Sequence, residues 1–216
     1  MSNYYSRPEV SNSDLTALKK ALYGGQDFDP KEAYKFGSLI DAMITEPDLV
    51  DEYGLSLNGE TYAPEQFEQA KQMRRAFLKD ELCNMILQNS EMQRVMVMDD
   101  MRFDYHVPFS LPVRCKWDLW QPKYNWGGDI KSTAATTQEQ FVAACKHFDY
   151  DRQRWWYMNI AGSDRDMLIG ISKVNFKVFK FKIEKGDEFY KSGERKALEL
   201  AFRYWLYFGN SLKKAS

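Results

Sequence analysis

The feature that most constrains this chain is a change of hydrophobic period near residue 101. Before it, apolar residues recur every three or four positions, as in KEAYKFGSLIDAMIT, where Ala33, Phe36, Leu39, Ile40, Met43 and Ile44 share one helix face. After it they alternate: Phe103, Tyr105, Val107 and Phe109, then, past Leu111-Pro112, Val113, Cys115, Trp117 and Leu119. An alternating stretch buries one face by joining a sheet. Helices that precede such strands must be laid against that sheet, so the expected class is α/β or α+β with a mixed central β-sheet flanked by helices.

The other segments fit this plan. Residues 10–22 form a helix capped by Ser11, Asn12 or Ser13, with Leu15, Leu18 and Leu22 inward and Gly24-Gly25 as its stop. A turn through Asp29-Pro30 leads to the helix of residues 31–45, which Glu46-Pro47 closes, and residues 63–89 read as one or two amphipathic helices. A third short strand carries GGDIKST. Thr136 or Thr137 then caps a helix over TQEQFVAACKHF that runs into a second, YDRQRWWYMNIAG. Two strands, DMLIGISKV and FKVFKFKI, precede a last helix that packs Leu198, Ala201, Phe202 and Leu206.

The 216 residues, 44% of them hydrophobic, suffice for a full core, and residues 1–216 are expected to form one domain. A net charge of -1 removes the simple argument for a nucleic-acid coat protein. It still allows a basic groove beside acidic metal ligands. Three widely spaced cysteines fit reduced thiols better than a disulfide framework, and neither a leader nor a membrane-length apolar run is present, so the expectation is a cytoplasmic protein.

The chemistry concentrates around GGDIKSTA. In an extended strand Asp129 and Lys131 stand side by side while Ile130 faces the other way. A carboxylate for a hard cation beside an ammonium suits phosphodiester hydrolysis; a surface ion pair is the plainer alternative. Asp118, in VRCKWDLW, projects opposite Val113, Cys115, Trp117 and Leu119, where a hairpin brings it next to Asp129. Gln153 and Tyr157 lie one helical turn apart. Arg152, Arg154, Trp155 and Trp156 add two cations and two large rings suited to nucleic acid, with at least one Trp expected in the core.

The run from Val113 to Tyr157, with its Asp, then Asp-x-Lys-Ser-Thr-Ala, then Tyr-x-x-Gln-x-x-x-Tyr, resembles the PD-(D/E)XK nuclease superfamily. More narrowly it resembles the RecE-type phage and prophage exonucleases, relatives of the lambda exonuclease. SRPEVSNSDLTALKK is similar to that family's opening Ser-containing helix, and FGSLIDAMITEPD to its Gly-x-x-x-His helix with the Glu-Pro that follows. The resemblance implies a restriction-endonuclease-like core. It makes Asp118 and Asp129 metal ligands, with the Ile130 carbonyl as a third, and Lys131 the group that orients water or stabilises developing charge. Gln153 and Tyr157 would hold the DNA strand or the lysine, Arg154 would lie at the DNA, and Ser13 would touch a 5′-phosphate. The family's histidine is replaced by Asp41, which still suits a hard cation but adds a negative charge.

The activity so implied is 5′-to-3′ exonuclease resection of linear double-stranded DNA, dependent on Mg²⁺ or on Mn²⁺ in its place, for phage-type recombination by single-strand annealing. Implied partners are DNA ends, further copies in a trimer or tetramer, and an annealing protein of RecT or Bet type. The implied setting is the cytoplasm of a bacterial host, with a phage or prophage origin. The competing readings are an endonuclease or RecB-like nuclease of the same superfamily, and a DNA-binding module whose catalysis has been lost with the histidine.

Overall fold

The computed structural model describes residues 4–24 and 31–212, with side chains through Gly209. Helix α1 (Asn12–Tyr23) is capped by Ser11, in a reciprocal box in which the Asp14 N–H donates to Ser11 Oγ while Asp14 Oδ2 accepts from the Ser11 N–H. Such a cap stabilises a helix by about 1 kcal/mol. Gly24 ends α1 at φ 76°, a conformation that glycine takes without strain. Gly25 and the expected turn at Asp29-Pro30 lie outside the described residues.

Helix α2 (Lys31–Thr45) buries Phe36, Leu39, Ile40, Met43 and Ile44, whereas Ala33 is exposed in its first turn. A small three-stranded sheet, β1 (Val50–Asp51), β2 (Ser56–Leu57) and β3 (Glu60–Thr61), follows it; two-residue strands are too short to show a period in sequence. Next come α3 (Pro64–Lys79) and α4 (Glu81–Gln88).

The main sheet has five strands in chain order: β4 (Glu91–Tyr105), β5 (Val107–Gln121), β6 (Trp126–Thr133), β7 (Arg165–Ser172) and β8 (Val178–Glu184). It is antiparallel except for the β6–β7 pair, which is parallel. A parallel pair needs a crossover, supplied here by α5 (Gln138–His147), capped by Thr137, and α6 (Tyr150–Ala161). Helix α7 (Glu188–Leu212) closes the fold.

Two expectations about the first hairpin are corrected. Strand β4 begins at Glu91, ten residues before the alternation becomes visible, because its outer positions include the exposed Met92, Val95 and Val97. The chain reverses at His106, φ 55°, and not at Leu111-Pro112, which lies inside β5. Pro112 is tolerated there because β4 bulges opposite it: the register shifts between Met98↔Val113 and Met101↔Leu111.

Each face of the sheet carries a hydrophobic layer. One joins Val113, Cys115, Trp117 and Leu168 with Phe141 of α5, Trp155 and Trp156 of α6, and Ala197, Leu200 and Ala201 of α7. The other joins Leu119, Ile130, Ile169 and Ile171 with α2, α3 and α4. Leu206, expected to pack inward, is 58% exposed, because the sheet-facing stripe of α7 ends with Phe202 and Trp205 against Phe109. The three cysteines are free and buried, and burial pushes each thiol up to about 12. Among the described residues no helix is long and apolar enough to cross a membrane.

Candidate active site

The site forms where two strands part. β5 and β6 pair over three positions, Leu119↔Gly128, Trp120↔Gly127 and Gln121↔Trp126, and then diverge. Gly127 permits this crossing: a Cβ there would overlap the Trp117 ring and come within 2.9 Å of the Leu119 carbonyl. In the gap beyond, Asp118 takes over from the missing ladder, its Oδ2 accepting the Ile130 N–H at 2.8 Å. The N–H and C=O of one strand residue leave on the same side, so the Ile130 carbonyl points into the same gap. Further along β5 the vacated edge pairs with the N-terminal segment, where the Val10 N–H donates to the Pro112 carbonyl and the Arg114 N–H to that of Val10.

Three carboxylates lie near enough to this gap to bear on one another's charge. Burial, with Asp41 and Asp129 nearby, pushes Asp118 well above the usual carboxylate range. Burial and the charge of Asp129 raise Asp41 to about 6, against the pull of Lys116, Gln93 and Thr45. Asp41 and Asp118 therefore sense each other and Asp129 as unfavourable charges, the condition a divalent cation relieves. Among the described residues no three acidic, histidine or cysteine side chains are already closed round one point. The donor set nonetheless fits a hard cation: carboxylate oxygens, an inward backbone carbonyl, and no thiol or imidazole.

Asp129 is 2% exposed and already compensated. Lys131 Nζ forms an ion pair with its Oδ2, which has no hydrogen-bond partner, and Arg154 approaches Oδ1 at 3.2 Å. Lys131 lies 4.7 Å from the Tyr150 ring centroid. Burial lowers its pKa, but Asp129, Tyr150 and Asp118 outweigh that and keep it above the ordinary lysine value. It is a charged ammonium throughout the neutral range.

Helix α6 supplies the floor. Arg154 is fully buried between Asp129 and Asp166, the latter at 3.5 Å, with its guanidinium 4.2 Å from the Tyr157 ring centroid and 5.2 Å from that of Trp117. The expectation that Arg154 faces DNA is thereby corrected, since its charge serves two interior carboxylates. Arg152, Trp155 and Trp156 are buried too. Tyr157 is 8% exposed and packs edge-on against Trp117, while Gln153, half-buried, keeps its Oε1 without a hydrogen-bond partner. Ser13 is exposed on the first turn of α1, where Ser11 has taken the capping role.

These residues lie within positions 9–185, which match the family model described as a PDDEXK-like domain of unknown function (DUF3799). The chain belongs to that family. The PDDEXK-like fold is nuclease-like, and a solved structure shares it at low identity. One from Eubacterium rectale, described as a candidate exonuclease, superposes with a TM-score of 0.55 over 86% of this chain and 70% of its own, at 16% identity. A phage related exonuclease from Haemophilus somnus 129PT gives 0.46 over 93% and 82%, at 10% identity. An alkaline exonuclease from Laribacter hongkongensis gives 0.37 over 96% and 93%, at 12% identity. The first of these shows the shared fold. No curated protein matches the sequence.

Sequence reasoning on this PDDEXK-like chain missed Gln93, Thr45 and Asp166, and it gave Arg154 the wrong surroundings. Gln93 donates to both Asp41 oxygens, at 3.0 and 3.3 Å, and to Thr45 Oγ1 at 2.9 Å. No local pattern marks that contact across 52 residues. Asp166 was more legible, as an acid opening the apolar strand DMLIGIS.

Proposed function

We propose that this chain is a divalent-metal-dependent DNA exonuclease that resects linear duplexes from the 5′ end in the bacterial cytoplasm. The observation that supports the reading is the charge that Asp41, Asp118 and Asp129 exert on one another, with Lys131 paired to Asp129, where β5 and β6 part in a PDDEXK-like chain. PDDEXK nucleases generally use divalent metals; Mg²⁺ is proposed here, with Mn²⁺ as its substitute. When bound, such an ion supplies a Lewis acid for water and phosphate. Asp118, Asp129, Asp41 and the Ile130 carbonyl would hold it. Lys131, permanently charged, donates a hydrogen bond to the attacking water or to a phosphate oxygen as negative charge develops. Gln153 and Tyr157 keep the lysine or the DNA strand in register, and Ser13 receives the 5′-phosphate. Processive action by a trimer or tetramer, and transfer of the 3′ strand to a RecT- or Bet-type annealing protein, complete the proposal and rest on the resemblance to RecE-type exonucleases.

The test is digestion of end-labelled linear duplex with and without Mg²⁺, with a closed circle as control. Wild-type protein is expected to consume the linear DNA in Mg²⁺ alone and to leave the circle intact, and Lys131→Ala to lose about 10²–10⁴-fold in rate. Linear DNA that is bound yet survives every condition would overturn the enzyme in favour of a binding module, and cleavage of the circle would make it an endonuclease.

A further inference from the structure

Gln93, the third residue of β4, adopts φ 53°, a left-handed conformation that non-glycine residues rarely hold without cause. It occupies the register position across from Asp118, between the pairs Met92↔Leu119 and Arg94↔Trp117. From there its side chain reaches α2. Its Nε2 donates to the Asp41 carboxylate and to Thr45 Oγ1, while the Thr45 hydroxyl is also within reach of the Asp41 carbonyl and carboxylate. Both amide hydrogens are thus engaged. The opposite amide atom, Oε1, is buried and without a donor. A residue held in a strained conformation, with one buried polar atom left unsatisfied, is poorly explained as a contribution to stability.

We propose that Gln93 is a positioning residue that aims Asp41 at the cation, with Thr45 as its brace. The inference rests on the proposed nuclease reading and deepens it. Carboxylates that bind metals are themselves oriented by hydrogen bonds from a surrounding layer, and losing such a partner typically weakens metal binding about 10–100-fold. In this chain that layer comes from the sheet edge, reaching across to the helix that carries Asp41. The left-handed turn at Gln93 is what directs its amide to Asp41 while its neighbours stay paired to β5.

The experiment is a calorimetric titration of the metal-free protein with Mn²⁺, run on wild type, Gln93→Ala, Gln93→Gly, Asp41→Ala and the Gln93→Ala/Asp41→Ala double variant, with thermal midpoints alongside. Glycine accepts the left-handed conformation freely, so Gln93→Gly separates the backbone from the amide. The inference predicts that both single Gln93 variants bind Mn²⁺ about 10–100-fold more weakly. Gln93→Gly should melt no lower than wild type, and the double variant should bind no more weakly than Asp41→Ala alone. Unchanged Mn²⁺ affinity in the Gln93 variants, or losses that simply add in the double variant, would overturn the inference and leave the nuclease reading standing. Failure of wild type to bind Mn²⁺ would overturn both.

Discussion

At the scale of single residues, the site is a balance of interior charges. Arg154 is enclosed with Asp129 and Asp166 on either side, and removing one member of a buried ionic group leaves the others uncompensated. Arg154→Met is therefore expected to destabilise the protein by about 3–5 kcal/mol, read from urea unfolding. The carboxylates give a pH signature. Burial raises Asp166 to about 7 despite the nearby Arg154, and Asp41 stands at about 6. Both hold a proton more tightly folded than unfolded, where an Asp titrates near 3.9. Unfolding therefore releases protons, and this contribution to stability is full below about pH 4 and lost as pH rises to about 7. Asp80 and Asp149 are shifted the other way: burial raises them, but Lys180 on the first and Lys19 with Lys196 on the second outweigh it, so their contribution disappears in acid. The metal-free protein should melt highest near pH 5 and lower at pH 8, and Mg²⁺ should shrink that difference. A midpoint that rises from pH 5 to pH 8 without metal contradicts the charge balance.

At the scale of elements, close backbone approaches hold the site's supports together. Gly193 lets α7 meet the first turn of α6: a Cβ there would overlap the Asp151 carbonyl and lie 3.0 Å from the Arg152 amide. Backbone cannot yield as a side chain can, so Gly193→Ala should cost about 1–3 kcal/mol, measured as a lower thermal midpoint. It should also slow cleavage, because α6 carries Gln153, Arg154 and Tyr157. Element types were well read wherever one face is buried: α2 and the stretch 113–117 announce themselves through period, whereas Leu119, read as sharing that face, lies in the opposite layer. Strand β4 did not, because an edge strand with apolar residues on its outer side blurs the alternation. Nor could the hairpin be placed. His106 turns the chain through a left-handed residue that no glycine or asparagine advertises, while the more conspicuous Leu111-Pro112 lies opposite a bulge.

At the scale of the whole molecule, one mixed sheet separates two hydrophobic layers, and the site opens where the third strand leaves the second. Each layer brings its own residues there: Asp41 from α2 on one side, Arg154 from α6 on the other. The Asp118, Asp129 and Lys131 grouping was legible because strand geometry places i and i+2 together and a family resemblance named the acid. The supports were not, since Gln93, Thr45 and Asp166 are brought in by long-range packing that no short motif encodes. The proposed metal site is tested most directly by the anomalous difference density of a crystal grown with Mn²⁺. The expected result is a peak within ligand distance, about 2.0–2.6 Å, of carboxylate oxygens of Asp118 and Asp129, with Asp41 beside it. Saturating Mn²⁺ that leaves this gap without a peak, or that binds only elsewhere, would contradict it.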